Sequence, residues 1–248
     1  MRILFKTNYK QDLNLAKHGG HRFWYGLLIL VLFAAPLILG GYYIGEATRI
    51  LIYAMAGLGL MVLTGFTGQV SLGHAAFLAI GAYTNAWFLA QGFSSFVALP
   101  MAALLSMIGG LLVAIPAARM SGIYLAIATL AFAIIVEDFA GHLNSITGGN
   151  RGMMVDVPML FGYQIWESWE LYLFVLSILV AATLAVLNIL RSPLGRAMIA
   201  VRDSEVSSQA LGVNPMKIKV FAFTMSAAIT GLAGAFLAHY MSFLTPQI

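Results

Sequence analysis

A short polar stretch in the first third of the chain holds the side chains best suited to chemistry. Gln69, Ser71 and His74 fall within six residues, and each can donate or accept hydrogen bonds. Three glycines interrupt the same apolar region: Gly65, Gly68 and Gly73. Because no acid accompanies His74, the pattern favours hydrogen bonding to a polar molecule over acid–base catalysis.

Two interpretations of this stretch are open. At membrane depth, backbone that leaves a helix is tolerated only where protein buries it or a cavity holds water. Gly68, Gln69, Ser71, Gly73 and His74 are therefore candidates for lining a translocation path for a zwitterion. Alternatively, the glycines only allow close helix contacts, and the histidine is hydrogen-bonded within the bundle.

A second stretch, residues 191–219, is polar and basic and lies between two long apolar runs. Its charged residues are Arg191, Arg196, Arg202, Lys217 and Lys219, with Asp203 and Glu205 as the acids. A loop this rich in Lys and Arg between membrane spans is expected to stay in the cytoplasm. Ser192 suits the cap of a helix, and Pro193 suits its first position.

The same stretch predicts two short helices. Apolar residues recur at helical spacing in the first of them: Leu194, Ala197, Met198 and Val201. A second helix is expected from Ser204 to Leu211, ended by Gly212 and Pro215. We interpret this folded basic element as the site where a cytoplasmic partner binds. A solvated connector whose charges only orient the chain fits the composition equally well.

Two further polar groups adjoin the longest loop between apolar runs, residues 142–170. The segment Thr147–Gly152 contains three glycines and an asparagine, which allows a tight turn with inward-pointing amides that could bind an anion. Arg151 could hold a carboxylate, and an ordinary Gly-rich turn is the alternative. Glu137 and Asp138 lie near the end of an apolar run, and an ionisable group inside a span is a candidate for function. The favoured alternative is an interfacial pair that faces the outer surface.

Motifs of several enzyme classes are absent from the sequence. It contains no P-loop, no H-E-x-x-H run and no G-x-S-x-G run. The chain has no cysteine, which excludes disulfide and thiol chemistry. The five histidines show no metal-ligand spacing with an acid. We therefore expect no catalytic residue, no cofactor and no metal site, and no nucleic-acid partner.

Composition places the chain in the membrane. Hydrophobic residues make up 61% and charged residues 9%, whereas soluble domains are about a quarter charged. The predicted fold is an all-α, polytopic transmembrane helical bundle, with a cytoplasmic tail at residues 1–22 and one transmembrane domain at 23–248. The tail itself contains five basic residues.

About seven spans are predicted, at residues 23–45, 50–65, 71–89, 96–118, 123–140, 171–190 and 220–243. Glu46 and Arg49 are expected in a tight outer turn. The six spans before residue 191 place the tail, Arg119 and residues 191–219 on one side, and the 142–170 loop on the other. One crossing would be lost if residues 64–77 formed a re-entrant segment.

Four segments together resemble the branched-chain amino acid ABC transporter permeases of the LivM type. They are LTGFTGQVSLGHAAFLAIGAYT (63–84), GIYLAIATLAFAIIVE (122–137), TGGNRGM (147–153) and SPLGRAMIAVRDSEVSSQALGVNPMKIKVFAF (192–223). The resemblance extends from about residue 49 to the end. Members of the family usually continue into further Gly-rich spans, so the chain is expected to be C-terminally truncated.

The resemblance implies partners and sites. The partners would be a second permease of the LivH type, two cytoplasmic ABC ATPases and a periplasmic substrate-binding protein, assembled in the bacterial inner membrane. The implied contacts with the ATPases are Arg196, Arg202, Asp203, Glu205, Ala210 and Gly212. The implied binding-protein docking site or outer gate is Thr147, Gly148, Gly149 and Arg151.

The expected function is that of a permease subunit importing branched-chain amino acids, or related small amino acids and amides, and forming half of the translocation path. The alternative is a self-sufficient secondary transporter or channel for a small polar solute. That alternative requires ionisable groups deep in the membrane, and only His74 and Glu137 qualify. An intramembrane enzyme lacks a usable acid–base pair in this sequence.

Overall fold

The computed structural model describes residues 19–160, 163–164 and 167–246, and these residues form a helical bundle. The long helices are α1 (Gly19–Ile38), α2 (Gly41–Thr67), α3 (His74–Ala90), α4 (Ser95–Ala117), α5 (Ile123–His142), α7 (Ser168–Arg191) and α10 (Pro215–Met241). The short helices are α6 (Asn144–Thr147), α8 (Pro193–Asp203) and α9 (Glu205–Ala210), with a 3-10 turn at Gly149–Arg151. The predicted all-α bundle is confirmed.

Five of these helices are long and apolar enough to cross a membrane: α2, α4, α5, α7 and α10. The apolar part of α1, Phe23–Ile38, is shorter than these five helices. Helix α3 has 17 residues, which gives a length of about 25 Å at 1.5 Å per residue.

Short strands tie the loops at one end of the bundle together. They are β1 (Met153–Met154), β2 (Met159–Leu160), β3 (Tyr163–Gln164) and β4 (Phe243–Leu244). Strand β1 pairs antiparallel with β4, and β2 pairs antiparallel with β3. The Ser94 hydroxyl also donates to the Met159 carbonyl at 2.9 Å. The start of α4, the loop after α6 and the end of α10 therefore lie at the same end.

Helix α10 is the centre of the bundle, because it packs on α2, α3 and α4 and most of it is buried. Small residues make these contacts close. A Cβ on Gly81 of α3 would collide with the Gly231 carbonyl, and one on Gly231 would collide with the Ser106 hydroxyl of α4. A Cβ on Gly59 of α2 would collide with Thr230. Between helices in lipid, such close approach supplies much of the packing energy.

The first two helices divide at a different point from the predicted one. The turn expected at Glu46 and Arg49 is wrong, since both residues lie within α2. Their side chains form an ion pair one helical turn apart, with Arg49 Nη2 2.6 Å from Glu46 Oε2. The helices are interrupted instead at Leu39 and Gly40. Charges three residues apart fit a helix surface as well as a turn, so the charge pattern alone did not separate the two.

Two ends of the bundle can be distinguished by their contacts. At the inner end, Arg202 of α8 donates from Nη1 to the Gly65 carbonyl of α2 at 2.9 Å. Arg119, in the α4–α5 connection, lines a cleft with Glu205 and Gly212 at this same end. The segment from residue 142 to 160 lies at the opposite, outer end with the strands. The predicted grouping of Arg119 with residues 191–219, apart from the 142–170 loop, agrees with this arrangement.

The membrane side of each end stays a prediction from the positive charges. Residues 1–18, most of the predicted tail, lie outside the described residues. The predicted interruption near residues 64–77 is observed: α2 ends at Thr67 and α3 begins at His74. Helix α2 reaches the inner end, and α3 returns towards the outer end, where Asn85 bonds to His239 of α10.

Candidate functional site

The inner helix pair, defined as α8 and α9 (residues 193–210), projects from the inner end of the bundle. Pro193 occupies the first position of α8, as predicted. Met198 and Val201 of the predicted apolar stripe are buried, but Leu194 is 42% exposed. The apolar face by which α8 packs on α2 and α10 is therefore narrower than the four-residue stripe that the sequence predicted.

The caps of the inner helix pair match the prediction in part. Ser192 occupies the N-cap position of α8, as predicted. Its hydroxyl forms no capping bond there and donates instead to the Ile189 carbonyl at 2.6 Å, at the end of α7. The cap of α9 is Ser204, whose hydroxyl oxygen accepts from the Ser207 amide at 3.2 Å. Helix α9 ends before Gly212, which has a φ of +83°. The predicted second helix and its glycine stop are therefore observed.

An ion pair joins the inner helix pair to the central helix. Glu205 Oε1 lies 2.5 Å from Nζ of Lys219, which lies in the second turn of α10. The Lys219 side chain is only 6% exposed, whereas that of Glu205 is 49% exposed. A buried ammonium requires a partner, so this pair fixes α9 against α10. The family resemblance implied a partner contact for Glu205, whereas in the structure its carboxylate pairs with a lysine of the same chain.

The arginine at the end of α8 contacts the rest of the bundle. Besides its bond to the Gly65 carbonyl, Arg202 forms an ion pair with Asp203, with Nη2 3.2 Å from Oδ1. Arg196 is exposed and donates to the Arg191 carbonyl at 3.4 Å. Asp203, Ala210 and Gly212 are exposed on the same projection. All six predicted contact residues are thus exposed on the inner helix pair or at its end, and Arg202 also holds α8 against α2. Their contact with a partner stays a prediction.

Two large apolar side chains are exposed at α9. Val206 is 80% exposed, and Leu211, the residue after the helix, is 83% exposed. The other exposed side chains of the helix are Glu205, Ser207, Gln209 and Ala210. Neither Val206 nor Leu211 was predicted as a contact residue from the sequence. The available signal was that they are the large apolar residues around the polar run Ser207–Gln209.

The polar stretch at the helix break lies inside the bundle. His74 Nε2 is 2.7 Å from the Ser226 hydroxyl of α10, and Nδ1 is 3.0 Å from the Ser71 hydroxyl. The Ser226 hydroxyl donates to the Gly59 carbonyl of α2 at 2.6 Å, so it accepts from His74 Nε2–H. Nδ1 of a neutral ring then accepts from Ser71. The network links α2, α3 and α10, which is the geometry expected if His74 is hydrogen-bonded within the bundle.

The residues before His74 pack against α5. Gln69 and Ser71 are buried. The Leu72 amide donates to the Thr129 hydroxyl of α5 at 3.0 Å, and a Cβ on Gly73 would collide with the Thr129 carbonyl. The break is therefore closed by protein on this side. A translocation role for these residues stays a prediction.

The break also contacts the inner helix pair. Gly68 has a φ of +69° and caps α2, and a Cβ there would lie 3.0 Å from Cγ of Arg202. One end of the polar stretch therefore lies against α8, and the other lies against α10 through His74. A displacement of the inner helix pair would reach the break directly.

The turn at residues 147–152 uses much of its hydrogen-bonding capacity internally. The Thr147 hydroxyl donates to the Ala140 carbonyl at 2.6 Å and accepts from the Gly149 amide at 3.2 Å. The Gly152 amide donates to the Gly149 carbonyl. Gly148 has a φ of +73°, while Arg151 is exposed. This geometry fits the ordinary-turn alternative, and a docking or gating role for Thr147, Gly148, Gly149 and Arg151 stays a prediction.

The acidic pair at the end of α5 is exposed. Glu137 and Asp138 both face the surface, and Asp138 Oδ1 lies 3.5 Å from His142 Nδ1. The expected interfacial placement agrees with this exposure. Among the residues that the structure describes, no group of three His, Cys, Asp or Glu side chains could hold a metal ion.

Comparison with known proteins identifies related sequences. The family described as "Branched-chain amino acid transport system / permease component" matches residues 42–248. The high-affinity branched-chain amino acid transport system permease protein LivM of Salmonella typhimurium is 35% identical over 245 residues, covering 89% of this chain and 58% of that protein. LivM of Escherichia coli K12 is 35% identical over 250 residues, covering 91% and 59% respectively.

A more distant relative is the probable branched-chain amino acid transport permease protein LivM of Methanocaldococcus jannaschii, 26% identical over 144 residues, or 58% of this chain and 42% of that one. This chain therefore spans less than two thirds of the length of the relatives that it matches. No solved structure matches it significantly.

Proposed function

This chain belongs to the family of permease components of branched-chain amino acid transport systems, and we propose that it is a membrane subunit of an ATP-driven importer. It forms half of the translocation path with a second permease of the LivH type. Its substrates are branched-chain amino acids or related small amino acids and amides. Two cytoplasmic ATPases hydrolyse ATP, and a periplasmic binding protein delivers the substrate to this assembly in the bacterial inner membrane.

The observation that supports this proposal most is the exposure of Val206 and Leu211 at the inner end. Val206 is 80% exposed on α9, and Leu211, the residue after this short helix, is 83% exposed. Covering these two side chains with a partner subunit would remove their apolar area from water, which is favourable. A cytoplasmic ATPase is the partner that the family membership favours.

The second support is that the inner helix pair is bonded to the helices of the bundle. The Glu205–Lys219 ion pair fixes α9 to the central helix, and Arg202 fixes α8 to the end of α2. A partner that moves the inner helix pair would therefore move the helices around the break. The energy of ATP binding changes the permease only if the ATPase contacts differ between its two states.

The test introduces negative charge at Val206 and Leu211. We expect the double variant Val206→Glu, Leu211→Glu to lower ATPase co-purification by more than about tenfold, because two central contacts become charged. ATP-driven leucine uptake in proteoliposomes should fall with it. Both positions are so exposed that the fold itself should persist, which a thermal unfolding curve in detergent checks.

The matched control is Met154→Glu. Met154 is 81% exposed but lies at the outer end. This variant should co-purify the ATPases normally. If the double variant binds the ATPases as well as the unmodified chain does, the inner helix pair is not their docking site.

The alternative of a self-sufficient transporter or channel is not favoured by the family membership. Of the two ionisable groups considered for it, His74 is committed to Ser71 and Ser226, and Glu137 is exposed at the end of α5.

A further inference from the structure

An apolar groove of about 890 Å³ runs between α3, α4 and α5 and reaches the outer end of the bundle. It forms because α5 packs mainly on α3 and contacts α4 at few positions, whereas α3 and α4 pack closely on each other. Its lining is almost entirely aliphatic and aromatic, and no charged side chain of the described residues takes part. A polar molecule that entered it would lose hydrogen bonds to water and gain few in return.

The groove has the length of one leaflet of a bilayer. On α4 its lining runs from Met101 to Leu112, eleven residues apart, which is about 17 Å at 1.5 Å per residue. At the outer end the lining reaches Ile146 and Thr147 of α6. The hydrocarbon core of a bilayer is about 30 Å thick, so one leaflet takes about 15 Å. The groove therefore matches an acyl chain that enters from the outer end, whereas a partner helix would cross the whole core.

The wall of the groove carries one hydroxyl without a partner. Tyr83 lines the groove and is 7% exposed, and its buried hydroxyl forms no hydrogen bond within the described part of the chain. An acyl chain offers this hydroxyl no acceptor, whereas a polar ligand or a polar side chain of a partner helix would. Removing the hydroxyl therefore distinguishes a hydrocarbon occupant from a polar one.

We propose that this groove binds one acyl chain of a membrane phospholipid, from the leaflet at the outer end. Lipid tails are as apolar as the groove, so close packing favours binding. A gap at this depth would deprive its lining of dispersion contacts on one side. The chain fills the space between α4 and α5, and it thereby holds α5, whose Thr129 hydroxyl bonds to the helix break. The proposal goes beyond import and uses only the position of the chain in the membrane.

The test uses the assembled transporter in vesicles of phosphatidylethanolamine that carries a diazirine in one acyl chain, either near the ester or at the chain end. The transporter is extracted in detergent, washed free of unbound lipid and irradiated, and the adducts are mapped by mass spectrometry. The chain-end diazirine should label Leu112 and Phe132, and the one near the ester should label Leu143 and Ile146. Ile50 of α2 is 66% exposed outside the groove and should not be labelled after washing.

A variant that fills the groove should displace the lipid. Gly109 lines the groove, and a Cβ there would meet the tip of the Ile80 side chain, 3.2 Å from Cδ1. Gly109→Phe should lower the retained adducts by more than about tenfold, because its ring takes the place of the chain. The matched control is Gly57→Phe on α2, where a Cβ meets nothing within 4 Å. This control and Tyr83→Phe should both leave the adducts unchanged.

Three results would overturn the acyl-chain site. They are no retained adduct in the groove of the assembled transporter, a reversed order of the two diazirine positions along it, and an equal yield from a folded Gly109→Phe variant. A loss of adducts in Tyr83→Phe would also overturn it, since a polar ligand would then bind there. The adduct map of the unmodified chain decides the proposal even if Gly109→Phe does not fold. Leucine uptake has no part in this test, so the proposed import function is judged separately.

Discussion

Among single residues, Lys219 has the environment that matters most for coupling. Its ammonium is almost completely buried, and it is matched by one carboxylate from α9. From the sequence, this lysine was only one of several charges expected to orient the chain, because burial is a property of the packed structure. Its partner Glu205 was identified as a partner-contact residue, and the structure adds an internal bond to that expectation.

A charge exchange tests whether the pair transmits force. Glu205→Lys and Lys219→Glu alone should each lower leucine uptake per ATP hydrolysed by more than about tenfold, since removing one partner of a buried ion pair costs roughly 3–5 kcal/mol. The double exchange should recover at least half of the loss. The measurement is the ratio of uptake to ATP hydrolysis in proteoliposomes that contain the whole transporter.

The control for this exchange is Glu46→Lys, which breaks an exposed ion pair in α2. Surface pairs are worth about 0–1 kcal/mol, so the coupling ratio should stay unchanged. A double exchange that performs no better than its single variants would show that the pair does not couple α9 to α10.

Among the elements, α9 and the turn after it set the geometry of the proposed docking surface. Gly212 adopts a φ of +83° in open space, and Gly92, between α3 and α4, has the same φ and is equally open. The two glycines therefore have the same φ and equally open surroundings, and they differ only in their position in the chain. This makes them a matched pair for substitution.

Valine at either position should destabilise the chain by roughly 1–2 kcal/mol, because L-residues are disfavoured at positive φ. The thermal midpoints of Gly212→Val and Gly92→Val should therefore fall together. Only Gly212→Val should also lower the ratio of uptake to hydrolysis, since it alone re-aims α9. Equal coupling in the two variants would argue against a role for the α9 turn.

The elements that could be predicted are those with a local signal. The two short helices after Pro193 and the break between Thr67 and His74 followed from spacing, proline and glycine. The boundary between α1 and α2 was not predicted correctly. Two charged residues between apolar runs, Glu46 and Arg49, suggested a turn, but they form an ion pair within α2. Rules of spacing and capping use only neighbouring residues. They predict an element only when its neighbouring residues determine its boundaries.

The central position of α10 had no such signal. Hydropathy identifies a span but not the number of helices around it. The contacts that make α10 central join residues far apart, such as Gly81 with Gly231 and His74 with Ser226, 152 residues apart. A glycine indicates a close helix contact only when the residue facing it on the neighbouring helix is known. A single sequence does not show which residue that is. The partner hydroxyl of His74 was missed for the same reason.

In the whole molecule, α10 connects the two ends of the bundle. Lys219 holds the inner helix pair near one end of this helix, and His239 lines a polar cavity near the other. Twenty residues of helix separate them, or about 30 Å. A rigid central helix of this length allows motion at the inner end to reach the outer end. The close glycine contacts with α2, α3 and α4 hold this helix in place along its length.

The central claim is that a nucleotide-hydrolysing subunit binds the inner helix pair. Its most direct test places a photoreactive amino acid at Val206 or at Met154, which are exposed to the same extent at opposite ends. Irradiation of the assembled transporter should join the chain to an ATPase subunit from position 206 and not from position 154, as identified by mass spectrometry of the adducts. An ATPase adduct from position 154, or none from position 206, would contradict the account.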